Sequence, residues 1–326
     1  TIVGEDIDIA EMNFSFYNLT LDMMRDSDRR YTLSKDELLK INPNTKTSPR
    51  FQNTKVKEIT TSIYDNTPVL INENEDRNEW GIKYHTIYHM TNDSGVFEDN
   101  TLESLSRKGH DLDGHLFTDD NGKPTYLPLY EAKFIQQFDH RFGTYEGISE
   151  SNRFGRKAET QNLTADQKSN PDKEIIPRYW VSESDFDEIR DNLAWGSDWI
   201  FAFRGITNTR NVRTAVGTIT PFVPHGNSAP VLTFEQESGR KALMFCSFFN
   251  SFVFDYALRQ SLGETNLNLY VLKQLPMPTP TTIEDTTVKY EGSEKALQEY
   301  LVNKTGELVW TSHSLDGLGD SLDDLD

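Results

Sequence analysis

The spacing of apolar residues changes several times along the chain, and each change marks an element. Residues 1–33 hold no sustained period. Ser34 and Glu37 then stand at the spacing of a reciprocal helix cap, which predicts a short helix to about Ile41. Phe51, Val56, Ile59, Ile63 and Tyr64 recur at helical intervals and predict a helix within 48–64, stopped by Asn66, Thr67 and Pro68. Stretches rich in β-branched and aromatic residues predict strands at 69–71, 80–90, 126–135 and 178–181. Ser182 or Ser184 caps a helix whose first turn holds Asp and Glu, where the helix dipole favours them.

Three more strands, at 199–204, 214–220 and 229–234, predict a sheet. Residues 239–262, almost unbroken in apolar character over 243–254, predict one core helix. The proline-rich run from Pro276 to Pro280 reads as an extended linker leaving the core. A last amphipathic helix is predicted at 293–302, followed by an acidic end expected to be mobile. Between 145 and 177 neither period holds, and the polar composition predicts a long loop. Arg153, Arg156 and Lys157 would make that loop locally positive.

Together these elements predict a mixed α/β (α+β) fold in three parts: an N-terminal lobe over 1–110, a core over 111–280 containing the 145–177 loop, and a C-terminal helix and acidic tail over 281–326. At 326 residues the chain can bury a sizeable core. It opens on Thr1 with no charged-then-apolar leader, which reads as a piece of something longer. No run approaches eighteen consecutive apolar residues, so no membrane partner is expected. A single cysteine, Cys246, can form neither an internal disulfide nor a four-cysteine zinc site, which fits a reducing, cytoplasmic setting.

Net charge is −19, unfavourable for a polyanionic partner when averaged over the surface. Abundant surface acid would also suit a halophilic source. Distribution alters the picture, because a nucleic acid contacts a patch. Residues 199–234 contain no Asp or Glu, where about six would follow from the overall composition. The same window carries Arg204, Arg210 and Arg213 with Thr207, Asn208, Asn211 and Thr214 among them, side chains able to bond base edges or phosphates. A second acid-free stretch covers 265–283.

Several catalytic chemistries lack their residues. Adenine methylation requires a glycine-rich cofactor loop and an Asn/Asp-Pro-Pro-aromatic element, and neither occurs; Asn42-Pro43 and Asn170-Pro171 lack the second proline and the aromatic. Glu131 and Lys133 have the spacing of half a Mg²⁺-dependent nuclease site, with Asp111, Asp113, Asp119 or Asp120 upstream as candidate ligands. His85 and His89 share a face with no third ligand evident. The glycines among Asp111, Asp113 and Asp119 fall at the wrong positions for a calcium loop.

A set of phrases in fixed order carries a family resemblance. They include Ile41-Asn-Pro-Asn-Thr-Lys-Thr-Ser-Pro49, Met90-Thr-Asn-Asp-Ser-Gly-Val-Phe97, Leu127-Pro-Leu-Tyr-Glu-Ala-Lys133, Phe138-Asp-His-Arg-Phe142, Pro177-Arg-Tyr-Trp-Val181, Phe203-Arg204, Asn250-Ser-Phe-Val-Phe-Asp-Tyr256 and Gln274-Leu-Pro276. Over residues 41–280 the chain resembles the C-terminal target-recognition region of large adenine-N6 DNA methyltransferases of type II-G restriction–modification and phage-defence systems. It departs from that pattern at Gly205, where an acid is usual, and at Glu264, where a second glycine is usual.

The resemblance implies a target-recognition-domain-like sheet with packed helices and double-stranded DNA as partner. It implies no catalytic site and no cofactor in this fragment. S-adenosylmethionine, and Mg²⁺ in a cutting enzyme, would belong to the parent, whose methyltransferase domain would be the second partner. Arg204, Thr207, Asn208, Arg210, Asn211, Arg213 and Thr214 are then expected to read sequence, and Lys133, His140, Arg141 and Arg178 to hold phosphates. The alternatives from other classes are the Glu131/Lys133 nuclease and an acidic protein-interaction module.

Overall fold

The structure, a computed structural model, describes residues 11–155, 158–263 and 265–323. Arg156, Lys157 and Glu264 lie outside the described residues, as do residues 1–10 and 324–326. The fold is mixed α/β, built from several small antiparallel sheets and many short helices. Among the described residues no helix is long and apolar enough to cross a membrane.

At the centre stands a four-stranded antiparallel sheet in the order Gly217–Pro221, Trp199–Phe203, Val231–Phe234, Ile82–His85. Every residue of its first three strands is buried, which explains their unbroken apolar or β-branched composition. Phe201 and Phe203 pack edge-on or tilted against Phe245 and Phe249 of helix Gly239–Phe249, with ring centroids 5.1 to 5.5 Å apart. Gly217 permits this approach: a Cβ there would lie 2.6 Å from the Phe201 ring and 2.9 Å from that of Phe249.

The apolar run predicted as one helix is two, Gly239–Phe249 and Phe252–Ser261. Asn250 makes the break. Its amide donates to Gly217 O at 2.8 Å and to Cys246 O at 2.9 Å, and its Oδ1 accepts from Gly217 N at 3.1 Å. Ser251 then caps the second helix, accepting from Phe254 N.

A second four-stranded antiparallel sheet, Asp111–Asp113, Leu116–Thr118, Pro124–Pro128 and Trp180–Ser182, lies beside the first. Ser182 caps helix Glu183–Leu193 as predicted, and Phe186 from that helix packs on Phe222. The Ser34/Glu37 box is present at the start of Lys35–Ile41. The following helix begins at Thr54 rather than near Ser48, capped by Asn53.

Three expectations are corrected. The proline-rich run is packed rather than a free linker: Met277 is buried, Met277 N bonds Pro68 O, and Trp80 Nε1 donates to Pro278 O. Residues 293–302 open with a strand, since Thr287–Tyr290 and Ser293–Ala296 form a hairpin and the helix is Leu297–Val309. The two turn residues, Glu291 and Gly292, have φ of 50° and 81°, the left-handed pair a tight hairpin needs. The described part of the acidic end is helix Asp316–Asp323, which packs on Gly239–Phe249; Leu318 is buried in the main core.

The 145–177 stretch carries two one-turn helices, Glu150–Arg153 and Ala165–Lys168, and a two-residue strand, Gln161–Asn162, and it is tied down. Arg153 is buried and pairs with Glu103 at 3.1 Å, so it is not a free positive element. Thr164 and Gln167 form a capping box on a one-turn helix.

Candidate nucleic-acid interface

Where the two sheets meet, a cleft of about 580 Å³ opens to solvent, with Glu131, Lys133, Arg178 and Arg204 in its lining. Lys133 and Glu131 come from the turn after strand Pro124–Pro128, Arg178 from the approach to Trp180–Ser182, and Arg204 from the residue after Trp199–Phe203. Three cations thus converge from three separate segments.

Glu131 is buried and grips Arg178 through two hydrogen bonds, Nε to Oε1 at 2.8 Å and Nη2 to Oε2 at 2.5 Å. Burial works to lower the Arg178 pKa, and the Glu131 hydrogen bonds and charge more than reverse it. Lys133 is anchored to Ala158 O and to Tyr145 Oη at 3.3 Å, and burial lowers its pKa against the opposing pull of Glu131. Arg204 donates Nε to Ile135 O at 2.8 Å, with its guanidinium 5.8 Å from the centre of the Phe142 ring. One acid against three cations leaves the cleft positive in a chain that is strongly negative overall.

Ile206, 55% exposed at the edge of the cleft, leads into the loop that carries the other predicted readers. That loop is braced from within. Thr207 and Thr214 are buried and cross-linked, Thr207 Oγ1 donating to Thr214 O at 2.7 Å and Thr214 Oγ1 to Asn208 O at 3.2 Å. Asp255 accepts from Thr214 N at 2.6 Å, Ala215 N at 2.8 Å and Arg259 Nε at 2.7 Å. Arg259 in turn donates to the carbonyls of Thr209, Asn211 and Val212 at 2.8 to 2.9 Å. Arg213 donates to Asn250 O and Ser251 O and lies 4.6 Å over the Phe252 ring.

The structure therefore separates the seven candidate readers within the acid-free window. Arg204, Asn208, Arg210 and Asn211 retain accessible side chains, whereas Thr207, Thr214 and Arg213 hold the loop together. Val212, at 95% exposure, stands at the loop's tip.

His140 and Arg141, expected at phosphates, are fully buried and have no surface to offer one. His140 Nε2 bonds Ser312 Oγ at 3.0 Å, and burial pushes its pKa down to about 4. Arg141 donates to Asn170 O, Lys173 O, Lys168 O and Thr311 O, at 3.0, 2.6, 3.1 and 2.5 Å. The phrase containing them is a packing element.

The nuclease alternative loses its geometry. Glu131 is committed to Arg178, and Asp119 Oδ1 accepts from Asn121 N and Lys123 N in a surface turn. Among the described residues no three His, Cys, Asp or Glu side chains come together to hold a metal ion. His85 Nε2 instead bonds Thr233 Oγ1 at 2.9 Å across the sheet.

Ile206, Phe142 and Asn227 also line the cleft and were not among the sequence candidates. Proximity to Arg204 marks Ile206, but nothing in the sequence marks Asn227, which arrives from the turn before strand Val231–Phe234.

No protein-family model matches the chain, and no curated protein matches it. Among solved structures it is similar to the type IIG restriction endonuclease BpuSI, with a TM-score of 0.39 and 12% identity, over 97% of this chain and 39% of that one. The chain thus spans well under half the length of that enzyme. A TM-score of 0.39 establishes neither a shared fold nor a shared activity.

Proposed function

We propose that the chain is a sequence-specific recognition domain for double-stranded DNA within an adenine-N6 DNA methyltransferase of the restriction–modification kind. One observation carries this reading: in a chain of net charge −19, a cleft with three cations and a braced loop with Asn208, Arg210 and Asn211 adjoin through Ile206. The loop would enter a groove and read base edges, while the cleft would hold the backbone. Bracing by Asp255 and Arg259 fits that role, since a loop ordered before binding loses less entropy on binding. The ordered phrases shared with the target-recognition region support it from the sequence side. S-adenosylmethionine and methyl transfer would belong to a separate domain, because this chain has neither the glycine loop nor the Asn-Pro-Pro-aromatic element.

Binding of the chain to duplex DNA, measured against salt concentration, tests the proposal. Arg204→Ala should weaken binding and reduce the slope of log K against log salt by about 1. If the chain fails to bind any duplex at low salt, or if Arg204→Ala and Arg210→Ala leave affinity and slope untouched, the acidic interaction module takes its place.

A further inference from the structure

The cleft has walls that a phosphate alone would not require. Its volume of about 580 Å³ lies in the range of pockets for small organic ligands. Beside the cations stand the apolar surfaces of Met90, Phe142 and Ile206, and the polar groups of Asn227 and Ser228. Paired, stacked DNA offers a protein its phosphates and its base edges and keeps its base faces covered. Apolar walls in a cation-lined cleft therefore match a nucleotide that has left the stack, which presents a phosphate, a π-face and a hydrogen-bonding edge together.

The segment 226–228 at the cleft is held by hydrogen bonds to the backbone of its neighbours. Asn227 N bonds Tyr88 O at 2.6 Å, Gly226 N bonds Tyr130 O at 2.9 Å, and Ala132 N donates to Ser228 Oγ at 3.2 Å. A Cβ at Gly226 would lie 2.8 Å from the Met90 sulfur, so the Met90 side chain packs directly against the Gly226 backbone. Asn227 Oδ1 accepts from Met90 N at 3.2 Å, and its Nδ2 makes no hydrogen bond among the described residues. The amide thus keeps a donor for a base edge.

We infer that the cleft receives one extrahelical nucleotide of the bound DNA, its phosphate toward Lys133, Arg178 and Arg204 and its base against Met90, Phe142 and Ile206. This rests on the DNA-recognition reading and adds a second mode of contact to it. The loop begins at Thr207, directly after Ile206, so a duplex lying on the loop passes the mouth of the cleft.

The test compares a fully paired duplex with the same duplex carrying one unpaired extra nucleotide, using the full chain, Ile206→Asp and Val212→Asp. Both substituted side chains are exposed, so neither change threatens the core. Because an unpaired base is already free of its partner, the bulged duplex should bind at least about fivefold tighter than the paired one. Ile206→Asp should abolish that preference, and Val212→Asp should weaken both duplexes alike. Equal affinity of the unaltered chain for the two duplexes overturns the inference and leaves DNA recognition standing. Should neither duplex bind, DNA recognition itself falls. Thermal stabilisation by deoxyadenosine monophosphate but not by inorganic phosphate, lost in Ile206→Asp, would then still support a nucleotide cleft, and no stabilisation would end it.

Discussion

Two basic side chains in this protein, Arg141 and Arg204, look alike in sequence and are held in very different ways. Arg141 sits in the interior with its guanidinium caged by four backbone carbonyls from two parts of the chain, residues 168–173 and Thr311. Arg204, in the cleft, has a single carbonyl anchor and an aromatic neighbour, and keeps its remaining donors accessible. A caged guanidinium is a structural strut, because its terminal amino groups are spent on carbonyls within the fold. One held by a single anchor is positioned yet still able to bind. Counting the carbonyls around each arginine separates the two roles where residue type cannot.

The largest expected effect lies on the interior side. Arg141→Ala would remove four charge-assisted hydrogen bonds and leave a cavity at a fully buried position, and although such losses are not fully additive, a loss of more than about 4 kcal/mol is expected in chemical denaturation. A variant within about 1 kcal/mol of the parent chain would break the comparison at its root.

Acid should act on the same side. His140 and His225 are fully buried, and burial lowers both pKa values to about 4. Since the folded pKa lies below the unfolded value, the unfolded chain binds more protons between them. Stability is therefore complete above about pH 6.5 and falls as pH drops toward 4, by a few kcal/mol in all. Denaturant midpoints over that interval check it, and His225→Gln should flatten the decline. A flat profile would mean that neither imidazole is confined as its packing indicates.

How far the sequence reveals these roles depends on how local each cause is. The Ser34/Glu37 and Ser182 caps are read correctly because cap and helix are neighbours. The three central strands are legible because burial on both faces leaves runs of apolar and β-branched residues without a charge. Remote partners are invisible. The helix breaks at Asn250 because its amide bonds Gly217, and Arg213 becomes structural because Asn250 and Ser251 come back to it. Nothing within the acid-free window distinguishes Arg213 from Arg204. The Glu291-Gly292 turn, by contrast, is local and readable, and the helical period after it obscures the hairpin.

On the cleft side the expected effects fall on binding. Arg204→Ala should weaken DNA affinity severalfold at low salt, as loss of one phosphate contact requires, against about 1 kcal/mol of stability for its one lost hydrogen bond. Competition with unrelated DNA, alongside a denaturation curve, separates the two. A variant that unfolds easily yet binds normally would place Arg204 with Arg141.

The smallest effect distinguishes Arg210 from Arg213. Arg210 is exposed on the loop surface and its side chain makes no hydrogen bond among the described residues, so Arg210→Ala should leave stability within about 0.5 kcal/mol. It should still weaken DNA binding severalfold at low salt and progressively less as salt rises, as loss of one cationic contact requires. Arg213 covers the Phe252 ring and donates to two carbonyls, so Arg213→Ala should lower stability first. Its effect on binding should follow only from loosening of the loop, and so should fade when the DNA is present in large excess. The reverse pattern, stability lost at Arg210 and salt-dependent affinity lost at Arg213, would show that the loop meets DNA on the face now turned toward Asn250.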